Sequence, residues 1–422
     1  MNLPRIRALR TLAFPSAFLL AACGGAKPGD AAAPSAERTE AAPSQPAARD
    51  FGSMLEREVE SLTPAAFASK DGSIKGTMES KQPLRVEPRE GFTEVTAPIG
   101  SAVPMSCMVY DSDLHVGAAL SNVLNHLASQ NKARIAQVSV DNVEAFADAA
   151  AVYATVLYKT DQNGKEAAGT VKLFFHGSFE HGTMCLHDEV GFRKTFARVT
   201  RGFVESLKYP VQLGTTKMVE VVKVLLGDKP VGYSQSLVVE TKNGVTMSVS
   251  SSARVLQVAP TEFSTSDSTT ILGLDGDRRI VSGNYTALEG NSETLALTLE
   301  RGEKGKYHYK GTVRQKPIDG TFTSKDKKGL LSPLAHELEA AEVARAKKSK
   351  QFKYEDYSPE SDPTKTEPVT ASVDGAKGSL QLKLGEIVLN EALGDDGFAQ
   401  QGEIQLGKIT LTLQRLVRTG SL

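Results

Sequence analysis

The sequence predicts an α+β protein: an N-terminal antiparallel sheet with two helices, followed by a larger antiparallel sheet with one helix. Three observations carry this. Between about residues 83 and 210 the apolar spacing alternates between period two and period 3.6 in the order βαββββα, which suits an antiparallel sheet with its helices on one face. From about residue 211 to 422, long alternating segments follow one another through short turns, as in a meander. Aromatic residues are only 6% of the chain and Trp is absent, while 36 Gly and 19 Pro supply turns. The 49 basic and 50 acidic residues nearly cancel, which argues against nucleic acid as a partner. No run of eighteen apolar residues is present, so no transmembrane helix is expected.

Residues 1–22 read as an export signal. Arg5, Arg7 and Arg10 make a positive start, and Leu12 to Ala22 is an apolar stretch too short to span a bilayer. It ends in Leu20-Ala21-Ala22-Cys23-Gly24. This resembles the lipobox of bacterial lipoproteins, and the resemblance implies cleavage before Cys23 and acylation of that residue. Membrane attachment would then be through lipid, since several acyl chains hold where one does not. Gly24 in place of Asp implies the outer membrane, periplasmic face, under the sorting rule of that family. Loss of the three arginines takes the formal charge from −1 to −4, so no polybasic segment assists.

Residues 23–50 read as the lipidated Cys and a disordered tether. Ala, Pro, Gly and Ser make up 18 of the 27 residues from Gly24 to Asp50, with nothing to bury. Residues 51–82 form a poorly defined lead-in with one short helix near Met54 to Val59. In 83–210 the spacing predicts strands at Met105–Tyr110, Ile135–Val140, Val152–Tyr158, Val171–His176 and Thr183–His187. Val116, Leu120, Val123, Leu124 and Leu127 mark a helix over Asp113–Gln130, with Asp113 as N-cap, and Phe192, Phe196, Val199 and Phe203 mark a second over Phe192–Leu207. In 211–422, strands are expected at Lys217–Leu226, Gly232–Thr241, Val245–Val258, Glu262–Leu274, Arg279–Leu288, Glu293–Glu300, Lys306–Arg314 and Ile318–Thr323. A helix over Leu334–Lys348 follows, with Ser332 as N-cap and Pro333 at its first position. Strands return at Phe352–Tyr357, Val369–Val373, Ser379–Leu384 and Glu403–Leu413.

A long antiparallel sheet with one helix, behind a lipobox, is similar to the half-open barrels of the periplasmic lipoprotein-carrier superfamily. That likeness implies a curved sheet or half-barrel whose concave face takes acyl chains. The segment from Val222 to Ser234 is its most motif-like stretch.

Cys107 and Cys185 remain beside Cys23. In an oxidising compartment an even pair reads first as a disulfide. The competing reading is a metal site, because His176, His181, Cys185 and His187 fall within twelve residues. Lys194, Arg198, Arg201, Glu205 and Lys208 form a largely basic stripe on the second helix, which suits a solvated face. No nucleophile elbow, zinc-protease, Walker or dinucleotide motif occurs. His336-Glu337 opens like a zinc-protease helix but has no second His, and the turns Asp275-Gly276-Asp277 and Asp395-Asp396-Gly397 lack a full calcium-loop spacing. The expectation is therefore a non-enzymatic, cofactor-free envelope lipoprotein that binds a lipid, another hydrophobic ligand or an envelope protein. The alternative is a periplasmic enzyme or metal-binding protein built on the histidine cluster.

Overall fold

Period-two alternation governs most of the chain, and in the computed structural model it produces twenty-three strands and three α-helices among the described residues. These are 54–130, 133–162, 165–177, 180–209, 214–259, 262–406 and 409–420. Residues 1–53, on which the expected export signal, Cys23 and the expected tether fall, lie outside them. The α+β expectation is overturned: the protein is mostly β, and its helices are single covers and plugs with no layer of their own.

The first unit is a hairpin, β1 (Thr63–Ala68) with β2 (Lys75–Ser80). Next comes a seven-stranded antiparallel sheet: β3 (Arg85–Arg89), β4 (Phe92–Ala97), β5 (Met105–Tyr110), β6 (Arg134–Phe146), β7 (Ala149–Gln162), β8 (Lys165–Gly177) and β9 (Gly182–His187), in the order β3-β4-β5-β9-β8-β7-β6. Helix α1 (Val116–Gln130) follows β5, and α2 (Arg193–Ser206) follows β9. The lead-in thus holds two strands, β1 and β2, and β3 and β4 add two more that the apolar spacing does not announce; of the short helix expected near Met54 to Val59, only Met54 and Leu55 are helical.

The two helices lie on opposite faces of this sheet, contrary to the one-face expectation. Phe196, Val199 and Phe203 of α2 pack with Phe67 and Met78 of the hairpin and with Phe174. Leu120, Val123 and Leu127 of α1 pack with Val152, Leu173 and Phe175 on the other face, in a core shared with Val221, Leu237 and Val249 of the second sheet. The α1 stripe is wide enough to serve both sheets, which is why it could not stay on the α2 side.

The second sheet has fourteen antiparallel strands. Eight form one meander: β10 (Gly214–Leu226), β11 (Lys229–Thr241), β12 (Thr246–Ala259), β13 (Glu262–Leu274), β14 (Ile280–Glu289), β15 (Ser292–Arg301), β16 (Lys306–Val313) and β17 (Lys316–Thr323). Helix α3 (Pro333–Arg345) crosses to the second meander: β18 (Ser349–Asp356), β19 (Glu367–Asp374), β20 (Ser379–Leu384), β21 (Ile387–Leu393), β22 (Ala399–Leu406) and β23 (Ile409–Gly420). The last strand returns beside the first, with Val219 opposite Thr419 and Leu226 opposite Leu411. The single strand expected at Glu403–Leu413 is really two, paired from Gln401–Gln414 to Leu406–Ile409.

The edge strands β17 and β18 are not paired through their backbones, yet side chains bring them together. The Phe322 and Tyr357 rings stack at 4.8 Å, and Glu355 Oε2 accepts from Ser324 Oγ at 2.9 Å and Lys325 N at 2.8 Å. The sheet is therefore curled and barrel-like, with one seam closed by side chains.

One contact ties the two sheets through a helix end. Asp113 does not cap α1; the helix begins at Val116, and Asp267 on β13 accepts from Gly117 N and Ala118 N, both at 2.8 Å. Gly117 is required there, since a Cβ would stand 2.8 Å from Asp267 Oδ2. The N-terminus of α2 is treated alike: Glu58 accepts from Lys194 N at 2.9 Å and Thr195 N at 2.7 Å.

Candidate functional site

The site grows from α3. Ser332 caps it, its Oγ accepting from Ala335 N at 3.3 Å, and Pro333 occupies the first turn, as their positions in the sequence imply. The helix ends at Arg345, three residues before the expected Lys348. Small residues let it approach the sheet closely: Ala340 and Ala344 pack on Ala371, Val373 and Leu380. Leu334 packs with Tyr285, Leu297 and Tyr309 of the first meander. Helix α3 thus runs between the two halves of the curled sheet.

Its His336–Glu337–Ala340 face looks into a cavity of about 390 Å³ enclosed with β10 and β18–β23. That size falls within the range of small-ligand sites. The wall is mainly aliphatic, with Leu382 and Leu384 on β20, Leu389 and Leu393 on β21, Ile404 on β22 and Leu413 on β23. Alternation explains it, because every second residue of these strands points inward.

One part of the wall is charged. Arg418 donates to Glu220 at 2.9 Å and lies 3.5 Å from the Phe398 ring centroid. Glu337 Oε2 stands 3.8 Å from Arg418 Nη1, and Arg415 Nη1 stands 2.9 Å from Asp396 Oδ2. The His336 ring stacks on Tyr354 at 3.5 Å. About half of the Glu337 side chain, 47%, touches open space, but that space is the cavity itself. Enclosure pushes its carboxyl up to about 8, with repulsion from Glu220 adding and Arg418 opposing. Burial and Glu220 raise Glu391 to about 7, burial raises Asp356, and burial lowers His336 to about 4.

The residues singled out from sequence lie elsewhere. Cys23 is outside the described residues. Cys107 and Cys185 sit opposite each other on β5 and β9 and form a disulfide, with Cα atoms 4.0 Å apart and neither side chain exposed. The bond removes the Cys185 thiolate from the histidine set. His176 Nε2 lies 3.0 Å from Phe146 O, His181 stacks on Tyr209 at 3.5 Å, and His187 Nε2 lies 3.0 Å from Ser101 Oγ. Among the described residues no three His, Cys, Asp or Glu side chains gather as a metal set. The basic stripe on α2 is matched by acids: Arg198 meets Glu79 at 3.0 Å, and Arg201 meets Glu205 at 2.9 Å and Glu144 at 3.3 Å.

Burial holds His176 near 4 and His187 near 3, well under the ordinary 6.5. The folded state therefore binds fewer protons than the unfolded chain once pH falls below about 6.5. These two groups give their full stability above pH 6.5 and lose it as pH drops through about 4. An NMR titration should show both rings still neutral at pH 5; protonation midpoints near 6.5 would contradict this.

Of the cavity acids only Glu337 stands out in the sequence, as part of an incomplete zinc-protease pattern, although Glu391 carried a signal too. Ile387, Leu389, Glu391 and Leu393 alternate on one strand face, and an acid in such a row marks a polar spot on an apolar wall.

No protein-family model matches the chain, and no curated protein matches it in sequence. Among solved structures it is similar to the crystal structure of a β-barrel-like protein of a domain of unknown function, DUF1849, from Brucella abortus. The identity is 12% and the TM-score 0.37, over 49% of this chain and 98% of that one.

Proposed function

We propose that this chain is an envelope lipoprotein, anchored through Cys23 at the periplasmic face of the outer membrane, that holds a hydrophobic ligand without transforming it. The observation that carries the reading is the cavity between α3 and the second meander: aliphatic over most of its wall, with a small charged region to orient a ligand. The lipobox supports the anchor, and the tether gives the folded part a reach of roughly 30 Å from the membrane. No helix among the described residues is long and apolar enough to cross a membrane.

The test is made on the chain lacking residues 1–23, which keeps every described residue. The fluorescent apolar probe N-phenyl-1-naphthylamine should bind saturably. A Leu389→Trp substitution, which fills the cavity from β21, should weaken binding by about tenfold while leaving the unfolding midpoint nearly unchanged. Probe binding that is unaltered by this change would sink the assignment. Separately, labelling with a radioactive fatty acid in the native host should be lost on Cys23→Ser.

A further inference from the structure

The charges in the cavity are unbalanced, and the imbalance specifies a ligand class; the inference rests on the reading of the cavity as a ligand site. Each cation there has an acid nearby: Arg418 has Glu220 at 2.9 Å and the Phe398 ring, and Arg415 Nη1 lies 2.9 Å from Asp396 Oδ2 while making no hydrogen bond. Two carboxylates are left over. Glu337 reaches Arg418 only at 3.8 Å, and the Glu391 carboxylate faces the cavity with no side-chain hydrogen bond or ion pair among the described residues. Asp356 on β18 adds a third acid to the wall. His336 does not compensate, because burial keeps its ring neutral. Its Nε2 is shut off from solvent and has no hydrogen-bond partner.

We propose that the cavity binds a cationic amphiphile, with one alkyl chain along the leucine wall of β20 and β21 and an ammonium-type head at Glu337 and Glu391. An ammonium head supplies the positive charge that the pocket lacks, in surroundings of low dielectric where the pairing counts most. A carboxylate or phosphate head would meet the surplus acids, and Arg418, the arginine beside Glu337, is already bonded to Glu220.

The head also sets a pH dependence. Glu337 is faced by Glu220 from β10, Arg418 from β23, Glu391 from β21, and Tyr354 and Asp356 from β18, with His336 beside it on α3. Of these, Glu337 and Glu391 change charge between about 7 and 8. A bound cation favours their ionised forms, so binding releases protons and tightens as pH rises through that window.

Isothermal titration of the chain lacking residues 1–23 tests this with dodecyltrimethylammonium, dodecanol and laurate, each below its micellar concentration. The ammonium compound carries no titratable proton, so any pH effect belongs to the protein. It should bind at least about tenfold more tightly than laurate at pH 8.5, and about tenfold more weakly at pH 6 than at pH 8.5. The double substitution Glu337→Gln/Glu391→Gln should abolish both effects, while saturable dodecanol binding and an unshifted unfolding midpoint report that the cavity is intact. Laurate binding as tightly as the ammonium compound, or an ammonium affinity indifferent to the double substitution, overturns the proposal and leaves the hydrophobic site standing. Failure of all three compounds to bind overturns both.

Discussion

A Cys107→Ala/Cys185→Ala variant is expected to lose ~4 kcal/mol of stability, read from a urea unfolding curve under non-reducing conditions. The bond links residues 78 apart in sequence. In the chain-entropy account, a loop of that length held closed in the unfolded chain is worth about 4 kcal/mol. Both sulfurs lie beneath α2, packed with Phe174 and Phe196, so their loss also leaves space in a dense core. Wild-type protein assayed in urea with excess thiol should unfold at a midpoint lowered most of the way to the variant's, the remainder being the lost packing of the two sulfurs. If the variant's midpoint equals that of the oxidised protein, the disulfide contributes nothing and the account fails.

Asp267→Ala should have the second largest effect, a loss of about 3 kcal/mol. Removing a helix cap costs about 1–2 kcal/mol, and each buried N–H left without a partner adds about 1 or more. Asp267 serves two such donors, Gly117 N and Ala118 N, and it is itself buried. Burial pushes its carboxyl up, against the pull of those donors and of His115. Asn keeps an acceptor without a buried charge, so Asp267→Asn should cost about 1 kcal/mol. The informative comparison is hydrogen exchange: Asp267→Ala should speed exchange at the start of α1 far more than in β14 or β15. Uniform acceleration throughout would show a general destabilisation and contradict the capping role.

These two contacts also mark what the amino-acid pattern could convey. The disulfide was legible because, on the expectation of an oxidising compartment, an even pair of cysteines has few alternatives. Strand β21 was missed and β22 and β23 were read as one, whereas the strands from Lys217 to Thr323 were legible because their alternation is long and regular. The cap on α1 was not, since its donor of the carboxylate lies 150 residues downstream and a local rule selects Asp113 instead. The same holds for Glu58 and α2. Turns were hidden where ordinary residues adopt left-handed backbone: Ala147 and Asp148 at φ 48° and 59°, and Arg314 and Gln315 at 47° and 64°. No Gly or Asn announces them, so β6 and β7 read shorter than they are. The cavity acids were hidden for another reason. Glu220, Glu337, Glu391 and Arg418 come from three strands and a helix, and only the return of β23 beside β10 assembles them.

That return has a consequence for how the molecule is made. When β10 leaves the ribosome, its second neighbour is still nearly two hundred residues away. Until residues 409–420 arrive, β10 carries an open row of backbone donors and acceptors. Pairing across such a separation is slow because its loop entropy is met late. The half-made sheet is thus at its most adhesive between the emergence of Leu226 and that of Leu411, the interval in which an escorting chaperone would matter most.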